Sequence, residues 1–142
     1  MQINDTRYQV VMRPDIPLKE AITVHTHTPL VDVAQRLRST NALNVYVVDE
    51  NDAPVGVIAP IDIVTKIVAE GLNPSEHTAH DAMNAPVETA PFEEDPEFAL
   101  AIMMKYKTYA CLVTENGRIK GIVEYADVLK DVLTNMGELD ES

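Results

Sequence analysis

Two aspartates occupy matched positions in a duplicated stretch of the sequence. Asp62 follows Gly56 by six residues, and the same spacing returns 65 positions later, where Asp127 follows Gly121. An aspartate near the start of a helix can accept charge-assisted hydrogen bonds from two hydroxyl groups of a ligand. It can also accept hydrogen bonds from the N–H groups of its own helix terminus. The residues alone leave both interpretations open and favour the second.

The other reactive side chains form no catalytic pattern. Cys111 is the only cysteine and lies among apolar residues, so we expect a buried strand thiol rather than a nucleophile. The histidines form two close pairs, neither of which brings the second ligand set of a closed zinc site, so we expect solvated loop histidines and no metal. These pairs are His25 with His27, and His77 with His80. Phosphate-binding glycine motifs and nucleophile motifs are absent. We therefore expect no enzymatic activity.

Composition narrows the class of protein and its partners. The 142 residues are 46% hydrophobic and 24% charged, which is typical of a globular domain. The net charge of −12 repels both nucleic-acid phosphates and anionic lipid, so we expect neither as a partner. A single cysteine favours a reducing compartment. The amino terminus lacks signal-peptide features, and no apolar run approaches the roughly 20 residues of a membrane span, so we expect a soluble, cytoplasmic protein.

The first copy of the duplicated pattern predicts a β-α-β-β-α order. Thr28 is predicted to cap the first helix, with Pro29 in its first turn. Gly71 stands where a helix commonly ends in a left-handed conformation. Turn residues between the second and third strands predict an antiparallel hairpin. The predicted elements are strands at residues 22–24, 44–49 and 55–59, with helices from residue 28 onward and over residues 60–70.

The second copy repeats this order. Asp95 is predicted to cap its first helix, and Asn116-Gly117 is a strong hairpin signal because both residues tolerate positive φ. In the connector, Thr78 with Asp81 predicts the start of a short helix. The predicted elements are strands at residues 109–114 and 118–123 and a final helix over residues 125–136, followed by an acidic tail.

The duplicated order, with Gly-x-x-x-x-x-Asp joining the last strand of each copy to its last helix, resembles a tandem pair of cystathionine-beta-synthase (CBS) domains. The resemblance covers roughly residues 8–136. It implies an α/β fold of the α+β type, in which two β-α-β-β-α repeats pack with pseudo-two-fold symmetry through their small sheets. We expect the first repeat, with a lead-in, at residues 1–71. The second, with the connector helix and acidic tail, is expected at residues 72–142.

The resemblance also implies a function. CBS pairs are regulatory modules rather than enzymes, and adenosine-containing ligands often lie in the clefts between their repeats. S-adenosylmethionine, AMP, ADP or ATP is a possible ligand here, and no cofactor is required. Homodimers through helical faces are usual in the family. The expected partner is an unidentified enzyme or transporter that the module regulates.

The family's ligand signature maps onto Asp62 and Asp127, with a hydroxyl residue expected at positions 59 and 124. Ala59 offers no hydrogen bond, and Glu124 places a negative charge there. Two like charges about 4 Å apart repel by about 4 kcal/mol at an effective dielectric near 20, on the order of a thousandfold in affinity, which disfavours a phosphate beside Glu124.

An uncharged or cationic ligand, such as adenosine or S-adenosylmethionine, is therefore expected in the first-copy cleft. Its apolar walls are predicted to be Val24, Val45 and Ile58. Tyr109 or Tyr125 could stack on a base. For Tyr109 the alternative is a half-buried strand residue. Because both hydroxyl positions are replaced, a ligand-free dimerisation or protein-interaction module with degenerate clefts is the alternative function.

Overall fold

The computed structural model describes residues 16–135 of the chain, and these residues fall into two units. The first unit contains residues 21–87, and the second contains residues 16–20 together with residues 88–135. Each unit holds a three-stranded sheet and helices. The predicted mixed α/β class and duplicated order are confirmed, whereas the predicted helix end at residue 136 and the acidic tail lie outside the described residues.

The first unit is built around the sheet β1-β2-β3. Strand β1 (Thr23–His25) runs parallel to β2 (Val45–Val48), and β2 runs antiparallel to β3 (Pro54–Ile58). All four residues of β2 are buried, as expected for the central strand of a small sheet made of β-branched and aromatic residues. The hairpin turn is held by Asp49, whose Oδ1 accepts the backbone N–H groups of residues 51 and 53 at 2.8 and 3.0 Å.

The helices of the first unit pack their apolar stripes on this sheet. Helix α1 buries Leu30, Val33 and Leu37, whose spacing of three and four residues places them on one face. Gly71, which follows the helical segment after β3, has φ of +74°, as predicted. The segments are α1 (Leu30–Thr40), α2 (Pro60–Ile63) with a π-helical continuation (Val64–Val68), a 3₁₀ turn (Pro74–Glu76) and α3 (Ala79–Ala82).

The predicted cap of α1 is wrong. Pro29 is the residue before the helix, and no side chain caps the helix there. The Thr28 hydroxyl instead accepts the backbone N–H of His25 at 3.0 Å, which closes the turn between β1 and α1. The predicted Thr78 cap is confirmed, because the Thr78 N–H donates to Asp81 Oδ2 at 3.0 Å at the start of α3.

The second unit repeats the arrangement with β4 (Ala90–Pro91), β5 (Ala110–Glu115) and β6 (Arg118–Glu124) in that order. Helix α4 (Pro96–Tyr106) begins after Asp95, and α5 (Tyr125–Asn135) follows β6. The Asp95 position is as predicted, although its side chain makes no capping hydrogen bond. Asn116 and Gly117 have φ of 55° and 78°, which confirms the predicted hairpin.

A lead-in segment pairs with the last strand of each unit. The backbone groups of Lys19 and Ile122 exchange two hydrogen bonds of 2.8 Å, and those of Asn84 and Val57 exchange two of 2.9 and 3.0 Å. The strand edges of β6 and β3 are thereby covered. The segment that precedes the first repeat in sequence thus belongs to the second unit. The connector belongs to the first unit. The predicted division into repeats between residues 71 and 72 stays a prediction.

The two glycines of the duplicated motif allow this close approach. A Cβ atom placed on Gly121 would lie 2.6 Å from the carbonyl oxygen of Lys19, and one placed on Gly56 would lie 2.6 Å from the sulfur of Met83. Neither glycine has positive φ, so the requirement is space and not backbone conformation. The motif therefore has a structural role in both units.

Candidate functional site

Asp62 is the third residue of α2, directly after β3, and only 9% of its surface is exposed. Its Oδ2 atom accepts the backbone N–H of Ala59 at 2.7 Å and the side-chain amide of Asn84 at 2.9 Å. The first bond is the helix-terminus contact that the residues alone favour. The second ties the start of α2 to the connector.

Lys66 completes a cluster with Asp62 and Asn84. Its ammonium group lies 4.0 Å from Asp62 Oδ1, donates to Asn84 Oδ1 at 2.8 Å and donates to the carbonyl of Ala82 at 3.0 Å. Within residues 16–135, Oδ1 of Asp62 has no hydrogen-bond partner, since both recorded bonds go to Oδ2. Asp62 is therefore held rigidly by one oxygen and keeps the other for an additional donor.

The corresponding position of the second unit, at the start of α5, carries different charges. We call the two positions the first edge, with Asp62, Lys66 and Asn84, and the second edge, with Asp127, Glu124 and Lys19. Asp127 is the third residue of α5 and is partly buried, and no hydrogen bond to its carboxylate is found in the part of the chain that the structure describes. Lys19 stands where the first unit has Asn84, and its ammonium group lies 2.6 Å from Glu124 Oε1. The hydrogen bond to Glu124 raises the pKa of Lys19, and the nearby Asp127 adds to this effect.

The Lys19–Glu124 ion pair changes the expected electrostatics beside Glu124. The predicted repulsion of a phosphate treated Glu124 as an isolated charge, but its carboxylate already has a cationic partner. One negative charge, that of Asp127, is then left over at this edge, whereas Lys66 balances Asp62 at the first. The first edge is consequently less repulsive to an anionic ligand than the second.

Tyr109 is 67% exposed, so its interpretation as a half-buried strand residue is wrong. It lies just before β5, and its ring meets that of Tyr125 edge to face with centroids 5.9 Å apart. The carbonyl of Tyr109 accepts the N–H of Tyr125 at 2.8 Å, which fixes this pair at the start of α5. The exposed ring face leaves stacking on a base as a prediction.

The predicted apolar walls lie in the core of the first unit. Val24, Val45 and Ile58 are 6%, 0% and 0% exposed and pack with the buried residues of α1 and α2. The structure therefore does not bring their side chains to an exposed surface beside Asp62, and their role as ligand walls stays a prediction. Ala59 is partly exposed and contributes its backbone N–H to Asp62.

Sequence reasoning missed three residues of these edges. Lys66 lies four residues after Asp62 on the same helical face, a spacing that could have indicated the contact. Asn84 and Lys19 come from lead-in segments far from their partners in sequence, so no local pattern could have found them.

Cys111 and the histidines lie away from both aspartates of the duplicated motif in sequence, and two of them have defined surroundings. Burial raises the pKa of Cys111 to about 12, so the thiol stays protonated at neutral pH and is a poor nucleophile. His77 Nδ1 lies 3.2 Å from Asp81 Oδ2. No group of three or more His, Cys, Asp or Glu side chains within residues 16–135 could hold a metal ion. No helix in this range is long and apolar enough to cross a membrane.

Comparisons with known proteins give the same pattern. The family model described as CBS domain matches residues 11–69 and again residues 79–134. An uncharacterized protein of Methanopyrus kandleri is 34% identical over 119 residues, which are 82% of this chain and 60% of that protein. The chain thus spans less than two thirds of the length of this relative.

Solved structures resemble this fold as well. The CBS domain pair of protein MJ0100, in complex with 5-methylthioadenosine and S-adenosyl-L-methionine, has a TM-score of 0.71 and 25% identity over 89% of this chain and 97% of that one. The cytosolic domain of the Mg²⁺ channel MgtE in complex with ATP has a TM-score of 0.69 and 25% identity over 88% of this chain and 50% of that one.

Proposed function

Since the chain belongs to the CBS domain family, we propose that it is a regulatory module that binds an adenosine-containing ligand beside Asp62 and so controls a partner protein. The observation that carries this proposal is the Asp62 carboxylate, which is nearly buried, held by Oδ2 and left with Oδ1 for a ligand hydroxyl. The similar structures of MJ0100 and MgtE were solved with adenosine-containing ligands. We propose no catalytic role, because the domain pairs of this family are regulatory.

The charges at the first edge favour an uncharged or cationic ligand such as adenosine or S-adenosylmethionine. Lys66 already has a carboxylate and two further acceptors at 2.8 to 4.0 Å, so it is not free to hold a phosphate without giving up these contacts. AMP, ADP and ATP would need another cation. The second edge, with Glu124 and Asp127, is proposed to accept a nucleotide less readily.

The ligand would act through the connector. A ribose that engages both oxygens of Asp62 competes with the Asn84 amide for Oδ2. Loss of that bond loosens the attachment of Asn84 to α2, while its backbone pairing with Val57 stays. A ligand shifts such an equilibrium only if it binds the loosened state more tightly. This competition is the proposed link between binding and a signal to the partner.

Calorimetric titration with adenosine, S-adenosylmethionine, AMP and ATP tests the proposal. We expect adenosine or S-adenosylmethionine to bind and Asp62→Ala to abolish the binding, while the matched control Glu70→Ala, at an exposed position at the end of the same helical segment, leaves it unchanged. Absence of heat at millimolar concentrations of all four compounds would refute ligand binding, and equal affinity of the Asp62→Ala variant would refute the site.

A second candidate, a ligand-free dimerisation or docking module, is favoured by an exposed apolar stripe. The stripe consists of three apolar residues at spacings of three and four, each more than half exposed. They are Ile61 (59%), Val64 (51%) and Val68 (57%). Contiguous exposed apolar surface of this kind marks interaction sites. Here we propose a homodimer, and sedimentation equilibrium of Val64→Asp tests it. A monomeric wild-type chain, or an unchanged dimer in the variant, would contradict this assembly.

A further inference from the structure

A groove of about 500 Å³ runs between strand β1 and helix α1 of the first unit. We propose that this groove binds a small sugar phosphate or related polyol phosphate, at a site distinct from the Asp62 edge. Small-molecule sites usually measure about 300–1,000 Å³, so the groove has the size for such a ligand and is far larger than one phosphate ion needs.

The position of the groove follows from the sheet order. Strand β1 is the edge strand opposite β3, with β2 between them. Two strand spacings of about 4.8 Å therefore separate β1 from β3, and Asp62 follows β3. One wall of the groove is β1, and the other is the face of α1 that turns toward this edge. The two sites thus occupy opposite edges of one sheet.

The helical wall of the groove presents polar groups in a line. Four polar residues follow one another at spacings of four, three and four residues, which places them on one face of the helix and its lead-in turn. They are Thr28, Asp32, Gln35 and Ser39. Thr28 Oγ1 accepts the N–H of His25, so its hydroxyl hydrogen is available to donate. The Asp32 carboxylate and Gln35 amide can accept hydroxyl donors from a ligand.

Two arginines flank this line. Arg36 and Arg38 both border the groove, and neither makes an ion pair with any residue between positions 16 and 135. Four lysines of this range have carboxylate partners, namely Lys19, Lys66, Lys105 and Lys120, whereas the other unpaired cations, Lys107, Arg118 and Lys130, all lie in the second unit. In a chain of net charge −12, two unpaired guanidinium groups at one groove are a local reversal of charge. Arginine binds phosphate through two parallel hydrogen bonds, which makes a phosphate group the matching partner.

The combination of charges selects the ligand class. A free sugar would leave both arginines without an anionic partner, and inorganic phosphate, whose only donors are its own P–OH groups, is too small to fill the groove. A molecule with one phosphate group and several hydroxyl groups satisfies the arginines and the acceptors on α1 together. We therefore assign phosphate recognition to Arg36 and Arg38, and hydroxyl recognition to Asp32 and Gln35.

Titration of the full chain with ribose 5-phosphate, ribose and inorganic phosphate, followed by amide chemical shifts in NMR spectra, tests this assignment. We expect ribose 5-phosphate to bind most tightly and to shift amides of residues 23–39. The double variant R36Q/R38Q should bind it about 10- to 100-fold more weakly, since hydrogen bonds to charged groups are lost. The matched control R118Q removes an exposed arginine of the other unit and should change nothing.

Several outcomes would overturn the assignment. These are no shifts with ribose 5-phosphate at millimolar concentration, unchanged affinity in R36Q/R38Q, or inorganic phosphate binding as tightly as ribose 5-phosphate. Thermal melting of the double variant and of the single variants R36Q and R38Q verifies that any loss is not unfolding. D62A should retain ribose 5-phosphate binding while losing the adenosine ligand, so failure of either site is seen separately.

Discussion

Replacing Gly121 by alanine tests the account of the lead-in segments most directly. The added Cβ would lie 2.6 Å from the backbone oxygen of Lys19 and 2.9 Å from Cγ of Leu18. A backbone atom cannot rotate away, so the lead-in must shift and its two hydrogen bonds to Ile122, each 2.8 Å, must stretch or break. Overpacking costs about 1–3 kcal/mol, and each weakened backbone bond adds about 1 kcal/mol. We expect a loss of about 3–5 kcal/mol in the free energy of unfolding.

Gly56→Ala is the matched comparison. Its Cβ would meet the Met83 side chain, with the sulfur at 2.6 Å and Cγ at 2.9 Å. Methionine has three rotatable bonds and adapts to a new neighbour, so a cost of about 1 kcal/mol is expected. Gly117→Ala, where nothing lies within 4 Å but φ is +78°, measures backbone strain alone and should cost about 1 kcal/mol.

Urea unfolding curves of the three variants give the ranking, and amide hydrogen exchange of Lys19 and Ile122 locates the damage. Gly121→Ala should increase exchange at both amides. A loss below about 0.5 kcal/mol for Gly121→Ala, which is the size of an ordinary surface substitution, would refute the claim that this glycine exists for the close approach. A larger loss for Gly56→Ala than for Gly121→Ala would refute the distinction between a rigid and a flexible neighbour.

Three further predictions concern the polar contacts and the thiol. Asn84→Ala removes a hydrogen bond to the carboxylate of Asp62 and should lower the free energy of unfolding by about 1.5–3 kcal/mol in urea curves, whereas Asn84→Asp should be at least as harmful because it places two carboxylates together. Cys111 should stay inert to a thiol reagent at pH 8 until the chain unfolds. Folding raises the pKa of Cys111 from 9.0 to about 12, so the thiol of the unfolded chain loses its proton at lower pH than that of the folded chain. The free energy of unfolding should therefore fall as pH rises from about 9 to 12, and Cys111→Ala should lack this decline. The backbone hydrogen bond from Thr78 lowers the pKa of Asp81. The contribution of the ionised Asp81 to the free energy of unfolding is therefore present above the usual aspartate pKa and is lost as pH falls through the lowered pKa. The melting temperatures of the wild type and Asp81→Ala should consequently converge in acid.

Much of the local structure followed from residue type and spacing. The Asn116-Gly117 hairpin, the left-handed Gly71 and the Thr78 cap were predictable because each depends on the conformational preference of the residue itself. The Thr28 cap was not, since a threonine hydroxyl close to a turn has several backbone N–H groups within reach. In the structure, the turn after β1 places the His25 N–H within hydrogen-bond distance of the Thr28 hydroxyl.

The candidate site was predictable only in part. Repetition of the Gly and Asp positions in the sequence located Asp62 and Asp127, because duplication preserves the order of elements. Exposure was misjudged where it depends on long-range packing. Tyr109 and Val45 both lie in segments that the sequence predicts as strands, yet the Tyr109 ring is 67% exposed just before β5 and the Val45 side chain is fully buried in β2.

The sequence by itself determined that the chain contains two copies of one β-α-β-β-α unit, each with an aspartate at the start of its last helix, because periodicity and turn residues act over short distances. Only the tertiary structure decided that lead-in segments cover the last strands and bring Asn84 to Asp62 and Lys19 to Glu124. Those contacts join residues 22 and 105 positions apart. Strand-edge pairing and packing at the two glycines select them, and neither leaves a local pattern in the sequence.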